Sequence, residues 1–179
     1  MIRRTRLLAV VAAAAALAAA TGSTAAHGGE SAAVITERLS GYEEDPQTIS
    51  TTGQGRFRAQ IDERAQEISY RLTYNDLVGT VTQAHIHFGG RAQSGGISVF
   101  LCTNLGNGPV GTQACPAAPA TVTGVLRPAD VIGPPAQGIA AGEFTELVAA
   151  IRAGTTYVNV HSSQWPTGEI RAQLAGHHH

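Results

Sequence analysis

The sequence predicts an all-β fold, an antiparallel β-sandwich or barrel of Greek-key-like type with one short helix, on three grounds. Several segments alternate apolar and polar residues with period two, as a strand does when one face meets a core and the other faces water. Glycine is abundant, 21 of 179 residues, while aromatics make up only 5%. That balance suits many tight turns better than a helical bundle. Helical spacing is confined to a single stretch.

Taken in order, Phe57, Ala59 and Ile61 form a first inward row, with Arg56, Arg58 and Gln60 opposed. Ile68, Tyr70, Leu72 and Tyr74 form a second, opposed by Glu67, Ser69, Arg71 and Thr73, and Asp62 to Ala65 supply the hairpin between them. Ala84, Ile86 and Phe88 face one way on the next strand. Ile97, Val99 and Leu101 form another inward row that ends at Cys102. The Gly- and Pro-rich stretch from Thr103 to Ala120 reads as a long surface loop. Phe144, Leu147, Val148 and Ile151 recur at helical spacing, and Gly154 stands where a C-cap glycine belongs, so a helix is expected over one open end of the sandwich. Tyr157 to Ser162 and Gly168 to Leu174 alternate again as closing strands, joined by Ser163 to Thr167. There is no internal repeat and no sign of a second domain.

Residues 1–26 read as a signal peptide. Arg3, Arg4 and Arg6 give a basic start, Leu7 to Ala20 carries no charge, and Thr24-Ala25-Ala26 suits cleavage. An apolar stretch of about 14 residues falls short of the roughly 20 that span a bilayer. Residues 27–33 are expected to be a flexible mature N-terminus and 176–179 a tag-like histidine tail, leaving one domain of roughly 150 residues, large enough for a true core. The expected location is secreted or periplasmic, with no membrane span in the mature form. The 12 basic residues, all arginine, oppose 13 acids, and three of those arginines lie in the leader. No polybasic surface for nucleic acid or anionic lipid remains. Cys102 and Cys115 are the only cysteines; an even count in an exported chain favours a disulfide, worth roughly 3 kcal/mol through loop entropy.

Apart from the tail, the mature chain holds only His27, His85, His87 and His161. On a strand, residues two apart share a face, so His85 and His87 project together, away from Ala84, Ile86 and Phe88. In Tyr157 to His161, Val158 and Val160 point inward and leave Asn159 and His161 on the polar face. If the two strands are neighbours, three imidazoles converge on one copper or zinc ion with bonds of roughly 2.0–2.1 Å, as such sites require. Two other readings stand beside this one. The histidines are solvated or hydrogen-bonded residues of a polar sheet face, or with Arg71 or Arg171 they grip a carboxylate or phosphate. His27, as a new N-terminus, is a separate copper chelator. Tyr157, Asn159, Glu169 and Arg171 share the polar-face parity and are candidates to orient the imidazoles through hydrogen bonds. Trp165, on a turn, either engages a partner or packs over a sheet end.

No catalytic residue is assigned. Ser162 and Ser163 follow His161, but there is no G-x-S-x-G elbow, phosphate-binding loop or dinucleotide fingerprint. The acidic run Glu43-Glu44-Asp45 reads as a solvated loop or cation-holding cluster before a general acid–base pair.

Leu39-Ser40-Gly41 with Glu44 and Pro46, Ala84-His85-Ile86-His87, and Tyr157-Val158-Asn159-Val160-His161 leading to Gly168-Glu169-Ile170-Arg171-Ala172-Gln173 resemble the CHRD domain, over residues 34–175. Gln47 and Ala172 depart from its pattern. The resemblance implies an all-β extracellular domain, and its functional expectations divide three ways. The first is a metal-binding protein using His85, His87 and His161. The second is a non-enzymatic module that engages an extracellular protein or polysaccharide, and the third is a copper-dependent redox enzyme. The HxH strand with a later strand histidine also looks like the copper-ligand pattern of Cu/Zn superoxide dismutase, another β-sandwich. That protein's bridging histidine and zinc-loop ligands have no counterpart here.

Overall fold

The computed structural model describes residues 33–175. The leader read at 1–26, His27 and the 176–179 tail lie outside the described residues. Eight strands follow in order: β1 (Ala33–Ser40), β2 (Gln54–Asp62), β3 (Glu67–Asn75), β4 (Val81–Phe88), β5 (Gly96–Thr103), β6 (Ala120–Leu126), β7 (Thr156–Ser162) and β8 (Ile170–Leu174). They form one antiparallel sheet in the order β5-β4-β7-β8-β1-β2-β3-β6. The sheet curls into a nearly closed barrel. Near the seam between its edge strands, the Tyr70 hydroxyl of β3 donates to Leu101 O of β5 at 2.9 Å.

The barrel interior is filled by the alternating rows. Phe57, Ala59 and Ile61 meet Leu72, Tyr70 and Ile68 in direct register across β2 and β3, all buried, with Arg56, Arg58 and Gln60 outside. Val158, Val160, Ile170 and Ala172 complete the opposite wall. Each fully buried aliphatic or phenylalanine side chain contributes about 1.5–3 kcal/mol from water exclusion, so the alternation itself sets the register. A shift of β2 by one residue would turn Arg56 and Arg58 inward.

The expected helix is α1 (Phe144–Arg152), which buries Phe144, Leu147, Val148 and Ile151 and is followed by Gly154 at φ +67°. Arg152 pairs with Glu63 in the β2–β3 turn, so α1 lies by the barrel end where that hairpin reverses. Cys102 and Cys115 are joined in a disulfide at the base of the expected loop. Among the described residues, no helix is long and apolar enough to cross a membrane.

Three features depart from the sequence reading. Strand β6 has no clear alternation because Gly124 occupies its inward middle position. Gly124 is paired with Tyr70, and a Cβ there would lie 2.7 Å from the tyrosine ring. Ile97 was expected inward with Val99 and Leu101, but the β4–β5 register shifts between Ile86 and His87 and places Ile97 opposite His87. Finally, the polar faces of β4, β7 and β8 do not meet water. Every residue of β7 and β8 is buried on both sides.

Candidate metal centre

β4 and β7 are neighbours, and their register sets the site. His85 lies opposite Asn159, His87 opposite Tyr157, and His161 opposite Gln83, one step along the same face as His85. All three histidines stand on the outer side of the sheet, as the parity requires, yet they are only 0%, 8% and 5% exposed. Covering segments exclude the water. The chain from Gly89 to Gly95 is laid over β7 and β8 by Arg171, which donates to Gly90 O (2.8 Å) and Gln93 O (3.2 Å), and by Gln173, which donates to Gly89 O (3.0 Å). Ser94 then ties it to Asp45 at 2.7 Å, and Arg91 to Glu43 at 2.7 Å.

Gly95 is the clasp of this cover. Its carbonyl accepts the His87 Nδ1 proton at 2.9 Å, and its N–H donates to the Tyr157 hydroxyl at 3.1 Å. A Cβ here would lie 1.7 Å from Phe88 O, so no larger residue fits the close approach.

Because a carbonyl only accepts, His87 carries its proton on Nδ1 and presents a bare Nε2. His161 is fixed the same way: its Nδ1 donates to Pro166 O at 3.0 Å, and its Nε2 lies 3.2 Å from His85 Nδ1 and 3.0 Å from Asn159 Oδ1. His85 Nε2 and His87 Nε2 are buried without a hydrogen-bond partner. Burial holds the rings neutral. It lowers the His85 pKa to about 2, helped by the neighbouring His161 and His87, and that of His161 to about 4 against the opposing pull of Pro166 O. His87 is lowered for the same reason, with the charge of Arg171 adding to the effect.

One candidate ligand atom from each histidine lies within 4.8 Å of the other two. Bonds near 2 Å to a common ion place nitrogens roughly 3.3–3.6 Å apart, so the triad is within reach of a single ion once the widest pair closes by roughly an ångström. The ring walls are well defined. Phe100 packs edge-on against His85 at 4.4 Å, and Tyr157 stacks flat on His87 at 4.7 Å and 1°. On the other side of Tyr157 sits the buried Arg171 guanidinium, 3.4 Å from the ring centroid.

Among the residues expected to support the site, Asn159 contacts His161, Tyr157 contacts His87, and Arg171 acts one ring further out. Glu169 is drawn elsewhere: its Oε1 accepts from the Thr51 hydroxyl (2.6 Å) and Val78 N (2.7 Å) and makes no hydrogen bond to a histidine. The expected solvated acidic run divides. Glu43 and Asp45 bind the covering loop, while Glu44 is buried and its carboxyl is pushed up to about 8 by desolvation, against the pull of Arg171. Arg71 lies on β3, outside the histidine face. Trp165 is half-buried in the β7–β8 connection, where its carbonyl accepts from Gly168 N. Sequence reasoning missed the cover itself. The only local signal was the pair of glycine doublets, Gly89-Gly90 and Gly95-Gly96, which bracket it.

Fold and site together define an all-β domain whose barrel wall carries a buried, covered trihistidine cluster on its outer face. The chain belongs to the CHRD domain family, whose model matches residues 35–174. Neither a curated protein nor a solved structure matches the chain.

Proposed function

We propose that the protein is exported, through cleavage of residues 1–26, and binds a single copper or zinc ion through His85, His87 and His161. The observation that carries this reading is the orientation of the rings. Two imidazoles spend their Nδ1 protons on backbone carbonyls and leave Nε2 bare, that of His161 lying 3.2 Å from His85 Nδ1, and one candidate ligand atom from each ring lies within 4.8 Å of the others. Backbone carbonyls that fix the tautomer are the usual support of metal-bound histidine. Burial keeps the rings deprotonated, as a ligand must be. The disulfide agrees with an oxidising compartment. Storage, delivery or a structural role follows more directly than turnover.

Calorimetric titration of the full chain with His27, His177, His178 and His179 replaced by alanine tests the reading, because those residues chelate metal themselves. One-to-one binding lost in both His85→Ala and His161→Ala is expected; no binding at neutral pH would overturn it.

A second reading, an extracellular interaction module, draws on the disulfide loop, where Leu105 and Val110 are exposed. It predicts a stable protein without tight metal affinity and retention of any partner in the histidine variants.

A further inference from the structure

Charge and ligand number separate the metals that trihistidine sites accept. Among the described residues, the group able to hold an ion contains His85, His87 and His161 and no carboxylate or thiolate. The adjoining polar atom on β7 is the neutral Asn159 Oδ1. Beyond Tyr157 lies a fixed positive charge, Arg171, which is 1% exposed, forms no salt bridge among the described residues and donates to the carbonyls of Gly90 and Gln93. Glu44 is buried with Oε1 unpartnered, and burial keeps it mostly protonated at neutral pH. A divalent ion would therefore place two uncompensated charges in a desolvated pocket that already faces a guanidinium, and burying uncompensated charge is strongly unfavourable. Zinc in protein sites also takes four ligands almost without exception. Three imidazoles under a closed cover satisfy a monovalent ion of low coordination number much better.

Resting on the metal reading above, we infer that the trihistidine centre is selective for cuprous copper: three neutral imidazoles, sealed from water and facing Arg171, hold Cu(I) in preference to Zn(II) or Cu(II). The ion is taken up as Cu(I), and no electron transfer is part of the binding step.

The test uses the full chain lacking His27 and the three terminal histidines, with its disulfide intact and ascorbate as the reductant. Cu(I) affinity is read by competition with a chromophoric cuprous chelator under anaerobic conditions, and Zn(II) affinity by competition with a zinc indicator. We expect Cu(I) to bind at least about 100-fold more tightly, an effect of order two charge-interaction decades, with an X-ray absorption edge typical of three-coordinate Cu(I). Asn159→Asp, nearly isosteric, adds an anion beside His161 and should raise Zn(II) affinity at least about tenfold while changing Cu(I) much less. Equal or tighter Zn(II) binding in the parent chain, lost in His85→Ala, would overturn the selectivity and leave the metal site standing. Failure of both ions to bind would overturn the site and the selectivity together.

Discussion

His85 Nδ1 lies 3.2 Å from His161 Nε2, a separation that accommodates one proton between the two rings. Since His161 already donates from Nδ1 to Pro166 O, the shared proton belongs to His85. The place it occupies is where a cation would sit.

Replacing that ring with an apolar one separates binding from stability. His85 is fully buried, and its Nε2 has no hydrogen-bond partner. His85→Leu removes this unsatisfied atom at similar volume but also the Nδ1 donor to His161 Nε2, so metal binding should disappear while the fold survives with a loss of about 1–3 kcal/mol in unfolding stability. Denaturant unfolding of the metal-free protein, beside a metal titration, reads both.

The metal-free protein should be most stable near pH 6.5. The histidines are held neutral in the fold, with His85 near 2 and His161 near 4, while in the unfolded chain they titrate at about 6.5. Below 6.5 the unfolded state binds more protons, so stability falls with acid by about 1.4 kcal/mol per pH unit for each ring still neutral. Glu44 runs the other way. Its raised pKa of about 8 against 4.5 unfolded means that its contribution is full below 4.5 and is lost as pH rises through 8. The acid limb should therefore be the steeper, and Glu44→Gln should abolish the alkaline one. Thermal midpoints from pH 4 to 9 provide the check.

Metal affinity should be nearly independent of pH down to about 5. Protons compete with a metal only below the folded pKa values, which burial has lowered far beneath those of solvated histidine. A site of exposed histidines would instead weaken as soon as pH fell below about 6.5. Affinity measured at pH 7.5 and 5.5 distinguishes the two.

Gly168→Ala should damage the site from outside it. The residue has φ +135°, and a Cβ there would lie 2.6 Å from both Glu44 carboxylate oxygens and 2.8 Å from Asn159 Nδ2. Backbone strain and the displaced side chains should cost about 2 kcal/mol or more and lower metal affinity through Asn159 and its contact to His161. The denaturation midpoint and metal titration of the variant measure the two effects.

Removing the disulfide should do the opposite. Cys102 and Cys115 are 13 residues apart, so a Cys102→Ser, Cys115→Ser variant should lose about 3 kcal/mol of stability. Metal binding by whatever fraction remains folded should be unchanged, since the loop carries none of the three histidines.

The strands that could be read from sequence alone were those whose inner and outer faces differ chemically. Phe57 to Ile61 and Ile68 to Tyr74 alternate without interruption, and their register followed as expected. Strand β6 could not be read because its central inward residue is Gly124, which contributes no side chain and exists to admit the ring of Tyr70. Ile97 was misplaced because a register shift between β4 and β5 reverses parity, and nothing local in Gly96 to Thr103 announces it.

By itself, the sequence determined the alternation, the one helix, the cysteine pair and the placing of His85, His87 and His161 on the polar sides of their own strands, because side-chain parity is a property of consecutive residues. Tertiary structure alone decided that β4 and β7 adjoin and that the polar face is roofed by the chain from Gly89 to Gly95. It also set Arg171 behind Tyr157 and buried the carboxyl of Glu44. The roof rests on contacts between residues as much as 84 positions apart, and their consequence, desolvation, is a property of what surrounds a group and not of the group's own neighbours in the chain.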